Sequence, residues 1–211
     1  MIRKLVCFVL IGLLSISCDS TSSDLEKNYS ENFNEIKELK ELKEYFNKMV
    51  PKGYIVTIRY NSSDDINLFV YQPTNIPDKR ELLFQQWNVD YEDYLEPKVQ
   101  KDKKDYDPRT RSLEVVKKKL KWNNDTFKEL YEKLNNANCF GISSGNPTEL
   151  EYGHRGMGVL SYLIFDKNLN KEEQRENSDN CSTMFYKDNV VFTFSSGATG
   201  SFCIPDFKKH K

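Results

Sequence analysis

Residues 141–145 read GISSG, a Gly-x-Ser-x-Gly match. In a nucleophile elbow this pattern raises the serine hydroxyl, here Ser143, on a sharp strand-to-helix turn for attack on an acyl carbon. Asp206 and His210 follow in Ser, Asp, His order. The local context works against that chemistry. A helical pattern precedes Ser143, and Asn146–Pro147 follows where the elbow needs a helix to begin. His210 is the penultimate residue, where chains fray. Cys139 and His154 are a second nucleophile-and-base pairing, and no pattern in the sequence brings them together. The reading is therefore of a chain without a catalytic constellation. An envelope hydrolase using Ser143 or Cys139 is the alternative.

Metal chemistry finds equally little support. His154 and His210 are the two histidines, and no Cys-x-x-Cys spacing occurs. DKNLNKEE (166–173) echoes a calcium loop through Asp166, Asn168 and Asn170. Lys171 stands where the turn glycine belongs, and Asn177 where the bidentate glutamate belongs. A polar surface loop is the expectation, with no metal and no cofactor.

Two stretches suit recognition instead. In EYGHRGMGVL (151–160), Gly153, Gly156 and Gly158 interrupt regular structure before an apolar strand. Tyr152, His154, Arg155 and Met157 ride on that piece. Tyr, Arg and Met are side chains that anchor interfaces, so a recognition loop is one reading and a bulged strand entry the other. The segment 98–121 holds ten Lys/Arg against four Asp/Glu, with Lys117, Lys118 and Lys119 on a helical pattern. It reads as a solvated face or as a patch that meets an acidic surface.

The address of the chain is written at its start. Arg3 and Lys4 precede an uncharged run from Leu5 to Leu14, too short to cross a bilayer, and Ser15 and Ser17 lead into Cys18. This arrangement resembles a bacterial lipoprotein signal. The resemblance implies removal of residues 1–17, acylation of Cys18, and a domain held at a membrane of the cell envelope, in the periplasm or on the cell surface. An ordinary signal cut near Ser17 is the alternative. The outer membrane is the expected membrane, although Asp19 retains lipoproteins at the inner membrane in some bacteria. Nucleic acid is then excluded as a partner, despite two short helical patterns around the basic segment. Residues 18–30 read as a polar tether. Residues 31–211 read as a single domain.

With Cys7 in the signal and Cys18 lipidated, Cys139, Cys181 and Cys203 remain. That number implies one disulfide and one thiol in an oxidising compartment, or three buried thiols. If 183–204 is a strand meander, Cys203 is placed away from Cys181, which favours Cys139 as a partner in any bridge.

The apolar periodicity sets the scaffold. Phe33, Ile36, Leu39, Leu42, Phe46 and Met49 predict a helix over 31–50. YIVTIRY (54–60) and INLFVYQ (66–72) predict a hairpin with Tyr60 facing Ile66, Ile58 facing Leu68 and Val56 facing Val70. Residues 82–95 fit both strand and helix spacing, with a strand to Tyr91 preferred. Ser112 caps a helix through Leu120, and Asp125 opens another. GVLSYLIFD (158–166) suits a central strand. TMFYK and VVFTF flank Asp188–Asn189, pairing Phe185 with Phe192, and a last strand falls at SFCIP. The fold class is α+β: an N-terminal helix, a largely antiparallel sheet, and a helical pair inserted between two strand-rich regions.

Size, anchor and lack of a catalytic motif together resemble the small envelope lipoproteins of Gram-negative bacteria that act as immunity proteins. That resemblance implies a non-catalytic binding module whose partner is a toxin. An accessory subunit of an envelope assembly or uptake system is the alternative, with an envelope protein as partner.

Overall fold

The computed structural model describes residues 36–76, 78–95, 109, 111–178 and 181–195. The chain divides into two units, Met1–Ile36 and Lys37–Lys211, and the elements described here belong to the second, apart from Ile36 itself. Cys18 and the tether, most of the basic segment before Arg109, the expected strand at SFCIP, Cys203, Asp206 and His210 lie outside the described residues.

Helix α1 spans Ile36–Met49. Leu39, Leu42 and Phe46 recur every three or four positions and are buried, while Lys37, Glu38, Glu41, Glu44 and Lys48 face water and Lys43 is buried against Asp166. The helix stops before Pro51 and Gly53, the latter at φ +88°. Strands β1 (Ile55–Tyr60) and β2 (Asp65–Pro73) then form an antiparallel hairpin. Tyr60 faces Ile66, Ile58 faces Leu68 and Val56 faces Val70, the register that the alternation predicts.

Strand β3 (Arg80–Asp90) pairs with β2 and carries two irregularities. One lies around Trp87 and Asn88, with Asn88 at φ +54°; the other lies beside Leu83. Each extra residue breaks the period of two. This is why 82–95 reads equally well as strand or helix.

Two helices follow. In α2 (Leu113–Leu120), the Ser112 hydroxyl accepts the Glu114 N–H at 3.1 Å. In α3 (Asn124–Asn136), Asn123 forms a capping box with Thr126, one residue earlier than the sequence suggested for the start. The last part contributes β4 (Gly141–Ser143), β5 (Thr148–Arg155), β6 (Gly158–Ile164), α4 (Lys171–Glu176), β7 (Thr183–Lys187) and β8 (Val190–Ser195).

Among the described residues the eight strands join one sheet in the order β3-β2-β1-β4-β5-β6-β8-β7, and every neighbouring pair is antiparallel. The molecule is α+β. Three sequence readings need correction. Ser143 is preceded by the short strand β4 and not directly by a helix, and its turn leads into β5, which runs through Arg155 with a bulge between Glu151 and Gly153 in agreement with the bulged-strand reading of 151–160. The loop expected at 166–173 ends in α4, whose start is capped by the Asn170 side chain. In the last hairpin Lys187 faces Val190 as expected, but a bulge then shifts Phe185 onto Val191 and Met184 onto Phe192.

Helices α1, α2 and α3 bury their apolar stripes on one face of the sheet. Tyr60 donates to the Phe127 carbonyl at 2.7 Å, and Asn47 donates to Thr148 at 2.7 Å. Phe46, Trp122, Phe127 and Tyr91 form a chain of ring contacts between helices and sheet. Removing one such fully buried ring costs about 3–5 kcal/mol.

The other face is organised by an ion pair. Arg59, Gly141 and Glu151 stand side by side on β1, β4 and β5. The guanidinium reaches across the glycine and donates to both oxygens of Glu151, at 2.5 and 2.6 Å. Glu151 is 1% exposed. A Cβ on residue 141 would lie 2.7 Å from Glu151 Oε2 and 3.0 Å from Arg59 Cγ. Gly141→Ala is therefore expected to destabilise the fold by about 1–3 kcal/mol, through overpacking of a buried charged pair. Urea denaturation of both proteins measures it, and equal midpoints would contradict the account.

Candidate functional site

Strand β5 is parallel to β1, because both are antiparallel to β4. Arg59 and Glu151 stand level through Gly141, so the β5–β6 tip lies at the sheet end where β1 turns into β2. Arg155 pairs with Gly158, which leaves Gly156–Met157 as a two-residue turn. Gly156 sits at φ +60°, the region such turns demand. Met157 is 58% exposed at its apex. His154 is exposed, and its ring stacks on Phe140 at 4.5 Å and 24°. The glycines thus build a hairpin tip rather than a flexible loop, and that tip presents an apolar side chain on a fixed backbone.

Tyr152 does not belong to the presented surface. It is 6% exposed, and its ring stacks on Tyr162 at 4.3 Å on the helix-covered face. Its hydroxyl is buried with no hydrogen-bond partner. Burial pushes its ionisation well above the ordinary tyrosine value. The alternation of β5 explains the misplacement: with Leu150 inward, Tyr152 is inward too.

The three lysines divide as well. Lys117 reaches Glu114 at 2.7 Å and approaches the Tyr91 carbonyl, so it is held within its own surroundings. Lys119 donates to Gln72 on β2 at 3.0 Å. Lys118 projects to solvent. Strands β2, β1 and β4 intervene between β3, beside which α2 lies, and β5. At about 4.8 Å per strand that is roughly 19 Å. The basic stretch and the hairpin tip are therefore separate surfaces.

Cys139 is a buried thiol that donates to the Ala137 carbonyl at 3.3 Å, not one half of a bridge. Cys181 is disulfide-bonded, and its partner lies outside the described residues. The preference for Cys139 as bridge partner is thereby overturned: the short loop after α3 turns its thiol inward. Ser143 shares a 2.8 Å hydroxyl–hydroxyl contact with Thr57 on β1, and a turn rather than a helix follows it. Asp166 is taken up by Lys43 at 2.6 Å, and Asn170 by its helix cap. Among the described residues no group of three or more His, Cys, Asp or Glu is placed to hold a metal ion. No helix among them is long and apolar enough to cross a membrane.

A shallow groove of about 590 Å³ lies between the end of α1 and the α2–α3 junction. Met49 and Trp122 line it, with Lys48 and Lys121 set against Asp125 and Glu129. Tyr45 at its wall is pushed up to about 12, first by burial and then by its hydrogen bond to Glu129.

One surface was missed from the sequence. Phe69 and Tyr71 fall on the opposite face of β2 from Leu68 and Val70, away from the helices. Trp87, 53% exposed, meets Phe69 edge-on at 5.2 Å. The signal was present, since INLFVYQ is apolar on both alternating sets after Asn67.

Scanned against protein-family models, curated proteins and solved structures, the chain matches none.

Tyr60 and Tyr152 are both raised, with burial the largest cause. Each stays protonated in the fold, while the unfolded chain loses these protons above about pH 10. Above that value the folded state binds more protons, so stability present at neutral pH falls as pH rises past about 10. Urea denaturation at a series of alkaline pH values is expected to show this fall. A midpoint that rises with pH there would contradict it.

Proposed function

We propose that this chain is a lipid-anchored binding module of the cell envelope, acting without catalysis on a protein partner. Within that class we read it as an immunity protein that guards the envelope against a toxin. The observation that carries the reading is Met157, held largely exposed on a tight two-residue turn beside the His154–Phe140 stack. A large apolar side chain on a pre-ordered backbone loses little entropy on docking, which favours its use as an anchor. Lys118 offers a second, basic contact. The leader ending at Cys18 supports acylation there and attachment to a membrane of the envelope, which we take to be the outer one. On this reading α2 and α3 are a helical pair inserted between two strand-rich regions, with the sheet end left for recognition.

Cys18→Ala is expected to abolish incorporation of labelled palmitate and to release the protein from membranes, as fractionation reads; labelling that persists would remove the anchor from the proposal. For partner binding, the full-length protein in non-ionic detergent is immobilised and exposed to envelope and secreted fractions at moderate salt. One soluble protein retained in near-equal amount, and weakened at least tenfold by His154→Ala with Met157→Ala, is the expected outcome. A set of membrane proteins would favour an accessory subunit of an envelope assembly. Retention indifferent to the two substitutions would rule out the hairpin tip as the contact.

A further inference from the structure

The face of β2 and β3 turned away from the helices has an internal symmetry of charge. Opposed residues in an antiparallel pair share a face. The rows on this face are Asp65 with Asp90, Asn67 beside Trp87, Phe69 with Gln85, Tyr71 with Leu82, and Pro73 with Arg80. The Phe69–Gln85 row lies midway. Four residues along β2 lead from it to Asp65 and four the other way to Pro73; five along β3 lead to Asp90 and five to Arg80. Each half of β3 carries one irregularity. One end of the ribbon is thus acidic and the other basic, with exposed aromatic rings between.

The acidic end is poorly compensated within the chain. Asp65 and Asp90 are directly opposite each other, an arrangement of like charges that disfavours a sheet. Their oxygens accept neutral donors: the Asn61 amide at 3.3 Å, and the Glu92 and Asp93 N–H groups at 3.0 and 2.8 Å. Among the described residues neither carboxylate has an ion pair. At the basic end Arg80 is exposed and uses its Nε on the Gly53 carbonyl at 3.1 Å. Between them Trp87 is 53% and Tyr71 39% exposed.

From this pattern we propose that the β2–β3 face binds a second copy of the same chain. A two-fold axis lying in the interface, across the strands at the Phe69–Gln85 row, sets two such faces together. It brings Asp90 of each copy over Arg80 of the other, and Asp65 over Pro73 one strand away from that arginine. The same operation lays Trp87 over the row of Tyr71 and Leu82. A two-fold axis along the strands would instead place acidic end on acidic end, so charge selects the first arrangement. The contact is isologous and closes at two copies. It uses a different surface from the hairpin tip and stands or falls independently of the partner proposed there.

The test is the molar mass of the full-length protein in non-ionic detergent, corrected for bound detergent, by light scattering across a concentration series. The native protein is expected to pass from one copy to two as concentration rises. Trp87→Ala is expected to weaken that step at least tenfold. Arg80→Asp and the double variant Asp65→Arg with Asp90→Arg are each expected to be monomeric alone, since each places like charges across the interface. Mixed in equal amounts, they are expected to recover the dimer, because every contact then joins opposite charges. The substituted positions Asp65, Arg80, Trp87 and Asp90 all lie on the face turned away from the helices, and none is fully buried; matching circular dichroism spectra confirm folding. A native monomer at every concentration up to about 100 μM, a dimer insensitive to Trp87→Ala, or a mixture that stays monomeric would each overturn the proposal.

Discussion

The fold is held to its helices through one indole. Trp122 occupies the junction between α2 and α3, and its ring nitrogen donates to the Met49 carbonyl at the end of α1 at 3.2 Å. Its ring meets Phe46 from α1 and Phe127 from α3. Phe127 in turn stacks on Tyr91 just beyond β3, and its carbonyl receives the Tyr60 hydroxyl from β1. Helix α1, the α2–α3 junction, α3, β1 and the residue that follows β3 therefore share one contact chain. Helix propensity contributes little to such short elements, and packing of the apolar stripe supplies their stability. Loss of the indole would leave the Met49 end of α1 without its donor and open a cavity where three helices converge.

The two faces of the sheet are solved by different physics. On the helix side, alternate residues of β1, β2, β5, β6 and β8 are apolar and fully covered. On the other side, Arg59 and Glu151 meet above Gly141, and Thr57 meets Ser143 in the adjacent row. A glycine in a strand weakens it on its own account. Here the missing side chain is the space in which a bidentate pair crosses from β1 to β5. Breaking that pair would strand a carboxylate that is almost wholly buried, which costs more than the pair contributes.

What the sequence disclosed depended on how regular each element is. The β1–β2 register was legible because apolar and polar residues alternate from Val56 to Tyr60, and Ile66, Leu68 and Val70 at every second position supply their apolar partners. The start of α2 was legible because Ser112 is the kind of residue that caps. Strand β3 was ambiguous because irregularities at Leu83 and Trp87 break the period. Strand β5 was obscured by a bulge and by glycines that serve a turn, so Tyr152 was read as presented when it is packed. The last hairpin slipped for the same reason. Of the candidate site, His154 and Met157 keep their exposure, whereas Lys117 is drawn into local contacts. Ring stacking between His154 and Phe140 depends on strand pairing across β4 and β5, which local patterns do not encode.

The two outer strands carry a further meaning. Along β3 the Gln86 amide holds the carbonyls of Arg109 and Arg111, and two irregularities bend the strand. Along β7 the Phe185 N–H is taken by the Ser178 hydroxyl, and a bulge interrupts the ladder before Lys187. Neither rim offers a straight run of open backbone groups to an incoming strand. Strand-by-strand lateral growth is thereby discouraged at both margins. The two margins are thus a safeguard against filaments, because a contact between copies made there cannot propagate strand by strand.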